Sequence, residues 1–187
     1  MAKLLDQILV VDVESTCWDG PPPDGQVSEI IEIGVCTLDV ATLERREKRS
    51  ILVKPVKSQV SAFCTNLTTI TPDMLANAGT LADAARVLKK ELRSQDRPWA
   101  SWGDYDRRQF ERVCKELNVG YPFGLTHLNV KTLFAVAHGL PHQIGTDMAF
   151  QRLGQKMEGT HHRGGDDAWN IALLLSNLLR SARGDSR

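Results

Sequence analysis

Apolar runs and the breaks between them divide the chain into short strands and amphipathic helices. Residues 7–18, QILVVDVESTCW, begin with the apolar run Ile8, Leu9, Val10 and Val11 and then turn polar. So short and apolar a run predicts a strand buried on both faces. Strand side chains alternate, so Val10, Asp12 and Glu14 share one face while Val11 and Val13 share the other. Residues 29–40 and 44–53 predict two further strands. The short Ala41-Thr42 turn between them makes that pair an antiparallel hairpin, and the chain is expected to open as a three-stranded meander.

Beyond Pro55 the Ser-, Thr- and Asn-rich residues 58–71 read as irregular, with hydroxyls suited to capping turns. Thr71 followed by Pro72 marks a helix start. Thr80 with Asp83 three residues on is a capping box, opening a helix to about residue 92 with Leu81, Ala84, Ala85, Leu88 and Leu92 on one face. Residues 98–101 predict a fourth strand, and from about Asp106 the spacing of Phe110, Val113, Cys114 and Leu117 predicts a helix. Residues 126–130 predict a fifth strand and 131–138 a helix. Thr146 is expected to cap a helix ending at Gly154. Residues 166–183 predict a last helix packed on the sheet, with residues 181–187 a mobile polar tail. This order predicts an α/β fold in one domain over residues 1–187, with its core at about 7–180.

Composition adds bounds rather than chemistry. At 187 residues with 42% hydrophobic and 25% charged positions, a single core is expected. No apolar run reaches the ~20 residues of a membrane span, and the N-terminus leads directly into the first strand without a signal-cleavage pattern, so a cytoplasmic protein without membrane contact is expected. Cys17, Cys36, Cys64 and Cys114 lack paired spacing and read as free thiols. With 23 basic and 23 acidic residues the formal charge is zero, so nucleic-acid binding would rest on local patches or bound metal ions. No phosphate-binding G-x-x-x-x-G-K-[ST] loop, H-E-x-x-H or G-x-S-x-G motif occurs.

Acids recur at element ends. Asp12 and Glu14 close the first strand, Asp104 and Asp106 stand where a strand hands over to a helix, and Asp166 and Asp167 open the last helix after His161, His162, Arg163, Gly164 and Gly165. Carboxylates that converge repel one another unless a cation lies between them, and Mg2+ or Mn2+ would suit such oxygen ligands. Taken singly, the acids are also explained by a strand end reaching water and by a helix N-terminus favouring negative charge.

As a set, Asp12-Val13-Glu14, Tyr105-Asp106 with Phe110, and His162 five residues before Asp167 resemble the three motifs of the DEDDh (DnaQ-like) 3′-to-5′ exonucleases. Within that family the chain is most similar to the Eri-type branch, which includes histone-mRNA 3′ exonucleases. Thr16-Cys17-Trp18, the E-I-I-E of residues 29–32, Ser61, Phe63, Cys64, Leu67, Thr68 and Ile70, and Asn170-Ile171-Ala172 carry that similarity.

The resemblance implies an RNase H-like mixed five-stranded sheet flanked by helices. It also implies hydrolysis of single-stranded RNA or DNA from the 3′ end to nucleoside 5′-monophosphates, RNA being favoured. Two Mg2+ (or Mn2+) ions would be bridged by Asp12, with Glu14 and Asp167 completing the nucleophile-side site and Asp106 holding the second ion partly through water. His162 would be the general base, and Asp104 is the alternative second-motif acid. The implied substrate contacts are Thr16, Asn66, Leu67 and Thr68, with Trp18 or Phe63 as a stacking surface. Lys54, Lys57, Arg107, Arg108, Lys131 and Arg163 are candidate phosphate contacts. Gly165 replaces the family's usual apolar residue, so a mobile His162 loop is expected. An accessory RNA-binding region ahead of the core is not expected. A non-catalytic binding module on the same fold is the alternative reading, and it would call for a lost carboxylate.

Overall fold

The computed structural model describes residues 2–184. Its elements are β1 (Gln7–Ser15), β2 (Ile30–Asp39), β3 (Arg45–Leu52), α1 (Ala62–Thr68), α2 (Pro72–Ala76), α3 (Leu81–Glu91), β4 (Trp99–Ser101), α4 (Tyr105–Glu116), β5 (His127–Asn129), α5 (Val130–Ala137), α6 (Thr146–Arg152) and α7 (Gly164–Arg183). The five strands form one mixed sheet in the order β3-β2-β1-β4-β5. β1 pairs antiparallel with β2 and β2 with β3, as expected of the meander, while β1–β4 and β4–β5 are parallel.

Alternation along β1 sorts its side chains into two layers. Leu9, Val11 and Val13 meet Leu81, Ala84 and Leu88 of α3 and Phe110, Val113 and Cys114 of α4. Ile8 and Val10 face the other way, with Cys36 and Leu38 of β2, against Ala168, Ile171, Ala172 and Leu175 of α7. Cross-strand partners share a face, so the α7 side continues as Asp12 opposite Gly34 and Glu14 opposite Glu32. The edge strand β3 carries Arg45, Arg46, Glu47, Lys48 and Arg49, charges that discourage pairing with a further strand.

Three expectations need correction. The segment read as irregular contains α1, whose first turn is capped by the Ser61 hydroxyl accepting from the Cys64 N–H; its Cys64 is buried with Ile31, Ile70 and Leu75. Gly145, not Thr146, is the N-cap of α6. Helix α7 begins at Gly164, two residues early, although it ends at Arg183 as expected; residues 185–187 of the expected mobile tail lie outside the described residues. The four cysteines are free. Among the described residues no helix is long and apolar enough to cross a membrane.

Candidate active site

Gly34 lets α7 approach the sheet. A Cβ there would lie 1.8 Å from the carbonyl carbon and oxygen of Gly164, so only a residue without a side chain permits the helix N-terminus to rest on β2. Gly165 is confined less severely: its Cβ would meet Ser50 Oγ at 2.6 Å and the Arg49 carbonyl oxygen at 3.2 Å. The glycine pair is therefore buried in the first turn of α7, directly after the loop that carries His162.

This contact brings Asp167 over the acid face of β1. Ligand oxygens of Asp12, Glu14 and Asp167 all lie within 4.8 Å of one another. Burial, followed by the charges of Asp106, Glu14, Asp167 and Glu32, pushes Asp12 well above the usual carboxylate range. Glu14, 9% exposed, is pushed up to about 8 by burial and by Asp167, Glu32 and Asp106, with Arg163 opposing. Asp106 is raised to about 6 by burial, against hydrogen bonds from the Val13 N–H, its own N–H and Ser101. Acids so strained by proximity have a donor set of hard oxygens, and divalent cations such as Mg2+ or Mn2+ fit it.

Asp106 is outside the set of three whose oxygens all lie within 4.8 Å, but its charge acts on Asp12 more than that of Glu14 or Asp167; its Oδ1 accepts from the Val13 N–H at 3.0 Å. Asp104, the alternative acid, instead pairs with Arg107 at 3.4 Å.

Both oxygens of Asp167 are engaged by the preceding loop. Oδ2 accepts from the His162 N–H at 2.8 Å, and Oδ1 lies 3.0 Å from His161 Nδ1, which carries the shared proton if Asp167 is ionised. The His162 backbone is left-handed (φ 61°), and its ring stacks on that of His161 at 4.0 Å. Burial and the neighbouring His161 lower the His162 pKa, against Asp167, favouring a neutral imidazole able to accept a proton.

Three contributors escaped the sequence reading. Glu32, fully buried, accepts from Arg163 at 2.9 and 3.2 Å and from the Gly164 N–H at 2.8 Å, tying the mouth of α7 to β2. Arg163 is thus an internal partner rather than a free phosphate contact. Gln109 Nε2 donates to Ser15 Oγ at 2.9 Å, fixing α4 to the end of β1, and His161 contacts Asp167 as described. Among these, only the like-charge juxtaposition of Glu14 and Glu32 had a signal in the strand pattern.

The implied substrate contacts divide. Helix α1 stands beside the end of β1, with Ser61 Oγ donating to the Cys17 carbonyl at 2.6 Å. Phe63 and Leu67, one turn apart on α1, are 41% and 37% exposed, and Asn66 is exposed between them; Trp18 is half-buried. Thr16 and Thr68 do not join them. Both are fully buried, Thr16 Oγ1 donating to the Val27 carbonyl and accepting from the Glu29 N–H, and Thr68 Oγ1 donating to the Cys64 carbonyl. Their hydroxyls hold the fold and are not open to a ligand.

A family model described as exonuclease (RNase_T) matches residues 9–175. Human 3′-5′ exoribonuclease 1 is 30% identical over 185 residues, which cover 94% of this chain and 53% of that protein. The chain thus spans about half the length of these curated relatives. The nuclease domain of 3′hExo, a DEDDh family member solved with bound rAMP, superposes with a TM-score of 0.87 at 27% identity, covering 97% of this chain and 95% of that one. A 3′-exonuclease solved for 3′-end-specific recognition of a histone mRNA stem-loop gives 0.84 at 28% identity, covering 96% and 65%.

Proposed function

Because the chain belongs to the RNase_T exonuclease family, in its DEDDh group, we propose that it is a divalent-metal-dependent 3′-to-5′ exonuclease that trims single-stranded RNA, with DNA as a second substrate, to nucleoside 5′-monophosphates. The observation that carries this reading is the convergence of Asp12, Glu14 and Asp167 within 4.8 Å, with His162 hydrogen-bonded through its backbone to the last of them. A non-catalytic module would have no need to retain so costly a set of buried acids.

Asp12, Glu14 and Asp167 would hold one Mg2+ or Mn2+ ion, and Asp12 with Asp106 a second. When bound, such ions supply an acidified water and charge stabilisation at the departing 3′ oxygen. The chain's own contributions are separate. His162, held neutral near pH 7, accepts the proton of the attacking water. Phe63 and Leu67 offer an apolar surface to the terminal base, and Asn66 a polar edge beside it; stacking tolerates any base and suits a sequence-indifferent enzyme.

The test is incubation of 5′-labelled RNA and DNA with Mg2+ or Mn2+. A ladder shortening from the 3′ end is expected, and it should be absent in Asp12→Asn with the circular dichroism spectrum unchanged. Intact strands with the wild-type protein, or equal trimming by the variant, would remove this assignment.

A further inference from the structure

His161 is the side chain at this site that hydrolysis leaves without a task. We propose that His161, His162 and Asp167 form a second metal site, selective for an ion that favours nitrogen ligands such as Zn2+, and that its occupation switches the enzyme off. The switching half rests on the exonuclease reading; the binding half does not.

The geometry is close to that of a ligand set. A ring nitrogen of each histidine and a carboxylate oxygen of Asp167 all lie within 4.8 Å of one another. Two ligands of a tetrahedral zinc ion with bonds of about 2.0–2.1 Å stand roughly 3.3 Å apart. His161 Nδ1 and Asp167 Oδ1 are already 3.0 Å apart, so exchanging the proton between them for a cation requires a few tenths of an ångström. The second imidazole is preset. The left-handed backbone at His162 and its N–H bond to Asp167 hold it against His161, with ring planes 30° apart. The side chain of His161 is 47% exposed while that of Asp167 is 8% exposed, so an ion can enter from solvent on the histidine side.

The two donor sets differ in chemistry and share a member. Asp12, Glu14 and Asp167 offer only oxygen, whereas the second set offers two imidazoles and one carboxylate, which favours Zn2+ over Mg2+. An ion in the second set takes Asp167 from the first and occupies the ring of His162. One binding event therefore removes a metal ligand and the general base together.

Calorimetric titration of Zn2+ into metal-free protein, with Co2+ absorption as a spectroscopic substitute, tests the binding half in the wild type, His161→Ala and His161→Gln. Wild type is expected to bind more tightly than both variants by over about tenfold, the scale on which even an outer partner of a metal site matters. The bound Co2+ should show no thiolate charge-transfer band, which distinguishes this site from Cys17 and Cys64. RNA trimming in Mg2+, compared with and without Zn2+ within each protein, tests the switch: the inhibitory Zn2+ concentration should rise by over about tenfold in both variants. Equal affinities, or a thiolate band, would overturn the site, and binding without inhibition would overturn the switch. If wild type fails to trim RNA in Mg2+ the exonuclease reading falls, while the calorimetry still decides the metal site.

Discussion

Gly34→Ala isolates the contact on which the acid cluster depends. Gly34 lies within β2 and lacks a positive φ, so alanine is acceptable to the backbone there and the effect is one of space. The added Cβ would sit 1.8 Å from two backbone atoms of Gly164 and 2.3 Å from the Gly165 nitrogen, with no flexible side chain to yield. Restoring ordinary contact near 3.4 Å needs α7 to lift by about 1.6 Å. Overpacking of this kind costs about 1–3 kcal/mol. The larger effect should be on rate, because α7 carries Asp167, and a 1 Å misplacement of reacting groups can cost about 10²-fold. Rates on labelled RNA, with a thermal melt in parallel, should show at least that loss in a protein that still folds. Wild-type rate and melting temperature in Gly34→Ala would refute the claim that this close approach assembles the site.

Three further outcomes are expected. Glu14 is held up to about 8 in the fold against about 4.3 when unfolded, so the metal-free protein loses stability as pH rises through that interval; Mg2+ replaces the missing protons, and its rise in melting temperature over EDTA should be larger near pH 8 than near pH 5. A constant Mg2+ shift across that range would contradict the linkage. His162→Ala should lower the trimming rate by about 10²–10⁴-fold and His161→Ala by no more than a few-fold, and equal losses would dissolve the distinction between them. Arg163→Ala strands the buried carboxylate of Glu32 and should cost roughly 3 kcal/mol in denaturant unfolding, largely recovered by adding Glu32→Gln; a loss below about 1 kcal/mol would mean that water satisfies Glu32.

What was readable in the sequence was what local pattern controls. Alternation along β1 put Asp12 and Glu14 on one face, the Thr80–Asp83 box and Thr71-Pro72 marked helix starts, and the His162–Asp167 spacing located the third motif. Helix α1 was hidden because Thr and Asn have poor helix propensity, and its stability comes from docking Cys64 beside Ile31 and Ile70. Thr16 and Thr68 resembled ligands because they stand beside the motifs, but their hydroxyls are spent on carbonyls at Val27 and Cys64. Glu32 and Arg163 are 131 residues apart, and no local rule joins them.

β4 pairs with β1 only at Leu9 and Val10, so beyond that point one edge of the central strand has no neighbouring strand, and the Asp106 carboxylate accepts the Val13 N–H where a strand carbonyl would otherwise stand. Any event that draws Asp106 into the cleft must loosen that bond. The Val13 amide is therefore a single-atom gauge of the acid cluster, and its NMR frequency and exchange with deuterium would register ion binding from inside the sheet before any substrate is added.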